Sequence, residues 1–162
     1  MRIGRDVAAL ADAGVQGSGL AASDTAILFS AESEWATRSE TLPSMKLSHW
    51  HDVRDWYRAF LNAGARADIV PLAYDWSSYK TIVLPTVLIL SDADTRRLAG
   101  FVQAGGRVVV DYATGLLDER FHTWLGGYPG AGDGLLRSML GVVVRNSTFS
   151  VLGRKASRTR FG

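Results

Sequence analysis

The chain has no cysteine. Disulfides, thiolate metal sites and cysteine nucleophiles are therefore excluded on chemical grounds, and a cytoplasmic origin is expected. Histidine is scarce, with three residues. His49 and His51 lack the i, i+4 spacing of a helical metal pair, and no cysteine supplements them. No metal and no cofactor are expected. No run of about 18 apolar residues is present, so neither a membrane-spanning helix nor a membrane partner is expected. The opening residues MRIGRDVAALADAG bring acids and a polar break too early for a secretory signal. The G-x-S-x-G elbow of serine hydrolases is missing; Gly17-Ser18-Gly19 is a flexible turn that follows no buried strand. The glycine-rich stretch LGGYPGAGDG at 125–134 lacks a phosphate-loop lysine and the G-x-G-x-x-G spacing after a strand. Its glycines read as a tight turn against a neighbour.

Acidic residues are missing from the last nine positions, where Arg154, Lys155, Arg158 and Arg160 lie. Taking those four cations from the net charge of +2 leaves −2 for everything before them. The body is mildly acidic, so the basic end reads as a solvated tail, and no nucleic-acid partner is expected.

What is present describes an ordinary folded domain. The 162 residues are 47% hydrophobic and 21% charged, enough for one domain with a real core. A short helix is expected over Arg5–Ala13, and apolar strands over Thr25–Ala31, Asp68–Leu72, Thr81–Leu84 and Arg107–Asp111. Glu32–Arg38 suits one helical turn or an ordered loop. Leu47–Ala63 has the clearest helical period, with Leu47, Trp50, Val53, Tyr57, Phe60 and Leu61 on one face. Ser91 caps a further helix, with Asp92 and Asp94 in its positive first turn. Asp133–Leu140 is a last helix and Val142–Val144 a last strand. Apolar strands joined by helical crossovers predict an α/β domain of three layers with a mainly parallel sheet, flavodoxin-like or class I glutamine-amidotransferase-like.

Glycosidase chemistry needs two carboxylates about 5 to 9 Å apart. Glu32, Glu34, Asp111, Asp118 and Glu119 are the candidates by position. Glu32 and Glu34 are two apart, which aims them differently on a strand or a helix. Asp118 and Glu119 are adjacent and solvated. Capping and loop hydrogen bonding suit all five better than a catalytic pair. Trp35, Trp76, Trp124 and Tyr128 fall in expected loops rather than at periodic core positions. Such aromatics pack locally under loops, contact another subunit or domain, or stack on sugars.

The segments AESEWA, DVRDWYRAFLNAGARADIV, LPTVLILSD and GLLDERFHTWLGGYPG, followed by a helix ending in LGV, resemble in order the middle, trimer-forming domain of family 42 glycoside hydrolases, the bacterial β-galactosidases. The resemblance covers roughly residues 26–144. It implies a flavodoxin-like fold and a role in holding three subunits together. It further implies that 1–22 is a connector helix and linker from a catalytic barrel, 23–146 the trimerisation-type domain, and 147–162 the basic tail. Retaining hydrolysis of terminal β-galactosides would be carried by two glutamates of the barrel. No segment here matches those regions, so no catalytic position is carried over and the chain itself is expected not to be an enzyme. By resemblance the subunit contacts fall at Trp35 and on the Asp118–Tyr128 loop, with Asp118, His122, Trp124 and Tyr128 as its named positions. The partners would be the barrel and two further copies in a homotrimer. A free-standing flavodoxin-like ligand-binding module is the alternative, because ligands of such folds bind at strand-end loops.

Overall fold

The computed structural model describes residues 2–14, 21–39, 47–142 and 144. Four parallel strands lie in the order β2-β1-β3-β4. They are β1 (Thr25–Phe29), β2 (Asp68–Pro71), β3 (Thr81–Leu84) and β4 (Arg107–Val110). That order is the start of the flavodoxin-like arrangement 2-1-3-4-5. The helices are α1 (Arg2–Asp12), α2 (Ala31–Arg38), α3 (His49–Asn62), α4 (Asp92–Gln103) and α5 (Leu135–Leu140).

The strands are apolar on both faces because helices cover both. Ile27 and Val83 point to α3, where Val53, Trp56, Tyr57 and Phe60 pack. Ala26, Leu28, Ile82 and Leu84 point the other way, onto Leu98 of α4 and Leu136 of α5. This period of two places one residue in each layer alternately, and the three-layer α/β expectation holds. Leu28, Leu84, Leu98 and Leu136 have no exposed surface, and each contributes about 2 kcal/mol of burial.

The nine residues between β2 and β3 contain no helix. Trp76 fills that space, 3% exposed. Its Nε1 donates to the Leu72 carbonyl at 3.1 Å, its ring meets Phe101 edge-on, and the Arg97 guanidinium lies 4.4 Å above it. Local packing is therefore its role.

Several sequence expectations shift. Glu32–Arg38 belongs to a true helix, because Ser30 caps it by accepting the Ser33 amide at 3.0 Å. On α3 the buried stripe runs through Trp56, while Trp50 and Leu61 are 43% and 55% exposed. The Trp56 indole is drawn inward by the Asp111 carboxylate, to which its N–H donates at 2.8 Å. The last helix begins at Leu135 rather than Asp133, since Asp133 and Gly134 both have positive φ and cannot extend a right-handed turn. Of the expected strand Val142–Val144, the described residues Val142 and Val144 are not part of the sheet. Val144 makes one antiparallel bridge to Tyr128, and Val143 lies outside the described residues, as do 147–162. α1 presents Val7 and Leu10 to solvent. No helix among the described residues is long and apolar enough to cross a membrane.

Candidate assembly surface

The strands' carboxyl ends carry α2 and two long connections, after β3 and after β4. A polar frame fixes them. His49 has no exposed surface. Its Nε2 accepts the Ser30 amide at 2.8 Å, and its Nδ1 lies 2.7 Å from the Pro85 carbonyl. Only the neutral ring with the proton on Nδ1 satisfies both. Burial lowers its pKa below 6.5, against smaller upward pulls from the Pro85 carbonyl, Glu34 and Asp52. Glu34 is also buried. Its Oε2 accepts the Trp50 amide at 2.8 Å and its Oε1 accepts Arg38 Nε at 2.6 Å. α3 thus has two caps, Ser48 on the His51 amide and Glu34 on the Trp50 amide, which join α2 to α3.

The connection after β4 is built as firmly. Leu117 and Thr123 pair as an antiparallel bridge, closing a small hairpin. Asp118 holds its tip: one carboxylate oxygen accepts the amides of Arg120 and His122, each at 2.8 Å. Those bonds, the His122 amide foremost, lower the Asp118 pKa below 3.8. The Phe121 amide donates to the Asp118 carbonyl at 3.0 Å. Phe121 closes the turn at φ 64°, in the left-handed position that glycine ordinarily fills in a three-residue hairpin loop. A bulky residue there costs about 1–2 kcal/mol, yet the Phe121 ring is 57% exposed.

Beyond the hairpin, Trp124 packs against the main core, with its Nε1 buried and unpartnered among the described residues. Gly130 lets it approach, since a Cβ there would stand 2.1 Å from Trp124 Cβ. Tyr128 is half-buried, precedes a cis peptide to Pro129, and has its pKa pushed up to about 12, chiefly by burial. Arg137 of α5 ties the turn down by donating to the Gly127 carbonyl at 2.6 Å.

The five residues expected at subunit contacts therefore sit differently. Trp35 is 70% exposed on α2. Asp118 and His122 lie on the exposed hairpin. Trp124 and Tyr128 are partly buried beneath their own loop. The sequence reading did not place Trp50, Tyr74 or Tyr112 at contacts, and it held Phe121 and Leu125 only as members of the Asp118–Tyr128 loop; all five are exposed. Phe121 carried a legible signal, an aromatic inside the polar run DERFHT. With Trp35 these residues share one placement: each lies on a segment that leaves, or starts α3 at, the carboxyl end of the sheet.

The carboxylates are scattered by role. Glu34 caps, Asp111 binds Trp56 and the Tyr112 amide, and Asp118 holds the hairpin. Glu32 and Glu119 line a cleft of about 500 Å³ beside Leu72, Ile89, Arg97 and Phe121. It lies outside the ends of β1 and β3, the switch point where such folds bind ligands. A second cleft of about 280 Å³ lies beside the end of β4, lined by Val110, Tyr128, Pro129, Leu140, Val142 and Val144 among others. Among the described residues no three His, Asp or Glu gather as a metal site.

The family described as the β-galactosidase trimerisation domain matches residues 23–161. The chain is similar to β-galactosidase BbgII of Bifidobacterium bifidum, 43% identical over 142 residues, which are 88% of this chain and 20% of that protein. It is similar to the crystal structure of a β-galactosidase from Bifidobacterium adolescentis, with 88% identity and a TM-score of 0.74, over 76% of this chain and 56% of that one. A β-galactosidase from Rahnella sp. R3 matches with a TM-score of 0.71 and 33% identity, over 87% of this chain and 21% of that one. The chain spans about a fifth of the length of its Bifidobacterium bifidum relative.

Proposed function

The chain belongs to the β-galactosidase trimerisation domain family of glycoside hydrolase family 42, and from that premise we propose that it works as a noncatalytic assembly unit. It holds three copies of a cytoplasmic, retaining β-galactosidase together. The parent's two catalytic glutamates would lie on a separate barrel domain, which is the other partner of this surface.

One observation carries the reading. Trp35, Trp50, Tyr74, Tyr112, Phe121 and Leu125 are between 43% and 89% exposed, and all six gather on segments at one end of the sheet. Large apolar side chains held open on a rigid frame are what a buried interface needs. Glu32, Glu34, Asp111 and Asp118 each accept hydrogen bonds within the fold, which supports the noncatalytic part.

Light scattering on the purified chain across a concentration series tests the assembly, with a mass of three copies expected. A monomer at every concentration overturns it. Enzyme-like hydrolysis of a chromogenic β-galactoside by the same sample would sink the noncatalytic claim.

The 500 Å³ cleft at the switch point favours a second reading, a ligand-binding module. A thermal-shift screen with nucleotides, flavins and sugars decides it, since a ligand that binds the folded state raises the melting temperature.

A further inference from the structure

The cleft at the switch point has a volume of about 500 Å³, the size of a site for a small organic ligand. Its walls select the class of that ligand. Three carboxylates line it, those of Glu32, Asp94 and Glu119, against the one guanidinium of Arg97. That guanidinium is already matched. It donates to Asp94 at 3.0 Å and to the carbonyls of Leu72 and Tyr74 at 3.2 and 2.8 Å. The neighbours do not reverse the sign: Asp92 pairs with Arg96, Asp118 lies beside Arg120, and Asp75 adds a carboxylate near Arg97. The cleft is therefore negative, and anionic ligands such as nucleotides and flavin phosphates are repelled from it.

The same walls carry an apolar side. Leu72 and Ile89 line the cleft and are almost wholly buried, while Phe121 lines it with its ring 57% exposed. Asp118 fixes the Phe121 backbone at φ 64° by accepting the amides of Arg120 and His122 on its carboxylate and that of Phe121 on its carbonyl. Strained residues of this kind gather at ligand clamps. Two acceptors remain open beside the ring. Glu119 makes no hydrogen bond or ion pair among the described residues, and Glu32 accepts one bond, from Ser30 Oγ at 3.2 Å. An aromatic ring with free carboxylates around it matches a ligand that has an apolar face and a rim of hydroxyl donors. A neutral sugar has both: its C–H bonds gather on one face of the pyranose, and each hydroxyl can donate to a carboxylate. An amine concentrates its polarity at one point and leaves the apolar side of the cleft unfilled.

We propose that this cleft is a saccharide site, in which Phe121 stacks on the C–H face of a neutral pyranose and Glu32 and Glu119 accept its hydroxyls. The inference rests on the ligand-binding reading of the cleft, not on the assembly reading, and names the class of ligand.

Isothermal titration calorimetry on the full chain tests it, with galactose and lactose as the sugars, AMP as the anion and spermidine as the cation. The sugars should bind, and AMP and spermidine should not. Phe121→Gly should weaken sugar binding by about tenfold through loss of the ring. Its own melting temperature should stay level or rise, because glycine relieves the left-handed turn. Glu119→Ala alters an exposed, unpaired side chain and should also weaken the sugars, by roughly tenfold.

Binding of AMP or spermidine without any sugar overturns the saccharide assignment and leaves the ligand-binding reading standing. Sugar affinity unchanged in both variants overturns the placement in this cleft. A Phe121→Gly chain that loses a trimer mass in light scattering yet keeps its sugar affinity gives the ring to the assembly surface and overturns the stacking. No heat from any of the four probes overturns the ligand-binding reading, and the saccharide site with it.

Discussion

His49 accepts the backbone amide of Ser30 at 2.8 Å, across 19 residues of sequence, and so joins the end of β1 to the start of α3. The same ring reaches the Pro85 carbonyl at the end of β3 and stacks on Phe29. One neutral imidazole thus sets the spacing between two strand ends and a helix.

Stability should follow its protonation. The folded pKa lies below 6.5 because burial disfavours the charged ring. Between the folded and unfolded pKa values the unfolded chain binds more protons. The stabilisation is therefore complete above about pH 6.5 and is lost as pH falls below it. Urea denaturation at a series of pH values from 8 to 5 should show this decline. His49→Ala, which strands a buried amide and a buried carbonyl, should cost about 3 kcal/mol at pH 7.5 and flatten that part of the profile. An unchanged slope in the variant would remove His49 as its source.

Glu34→Ala should destabilise the chain by about 1–2 kcal/mol through loss of the second cap on α3. Glu34→Gln should recover part of this, because an amide oxygen can still accept the Trp50 amide. Chemical denaturation of both variants checks the order, and equal losses would argue that the charge pair with the 74% exposed Arg38 matters more than the cap.

Trp76 and Trp124 should respond oppositely to the same change. Trp76→Phe removes a made hydrogen bond, leaving the Leu72 carbonyl with Arg97 alone as donor, and should cost about 1 kcal/mol. Trp124→Phe deletes a buried N–H with no partner among the described residues, so it should be near neutral or stabilising. Melting temperatures of the two variants decide, and a larger loss at Trp124 would show that its N–H has found an acceptor.

Tyr128 should ionise late. Its pKa of about 12 is above the usual 10 because burial disfavours the phenolate. That contribution to stability is present below pH 10 and disappears as pH rises through about 12. Burial also raises Tyr79 and Tyr112, so ultraviolet titration of tyrosinate should show a drawn-out transition whose last step, near 12, is abolished by Tyr128→Phe.

The sheet was legible from its sequence because its strands are short apolar runs between polar turns, and the capped α4 because Ser91 and its acids stand where the helix dipole wants them. The stripe on α3 was misread at Trp56, since periodicity cannot foresee an indole pulled toward Asp111, 55 residues away. For Trp124 and Tyr128 the sequence left local packing, subunit contact and sugar stacking open, and only the close approach at Gly130 shows how that loop folds back on the core. Phe121 was legible as an aromatic in a polar run, but nothing in DERF announces its left-handed backbone, which only the bonds to Asp118 reveal. His49 looked idle because its partners are all backbone, which no motif records.

The nine-residue link between β2 and β3 acts as a gauge. It leaves β2 and β3 on either side of a slot one strand wide, and β1 occupies that slot. β1 therefore gains its second edge only after Thr81–Leu84 has been made, more than 50 residues after itself. The β1–β3 seam consequently spans the longest stretch of sequence of the three, which makes it the most costly to close even though β2 and β3 lie close together in the chain.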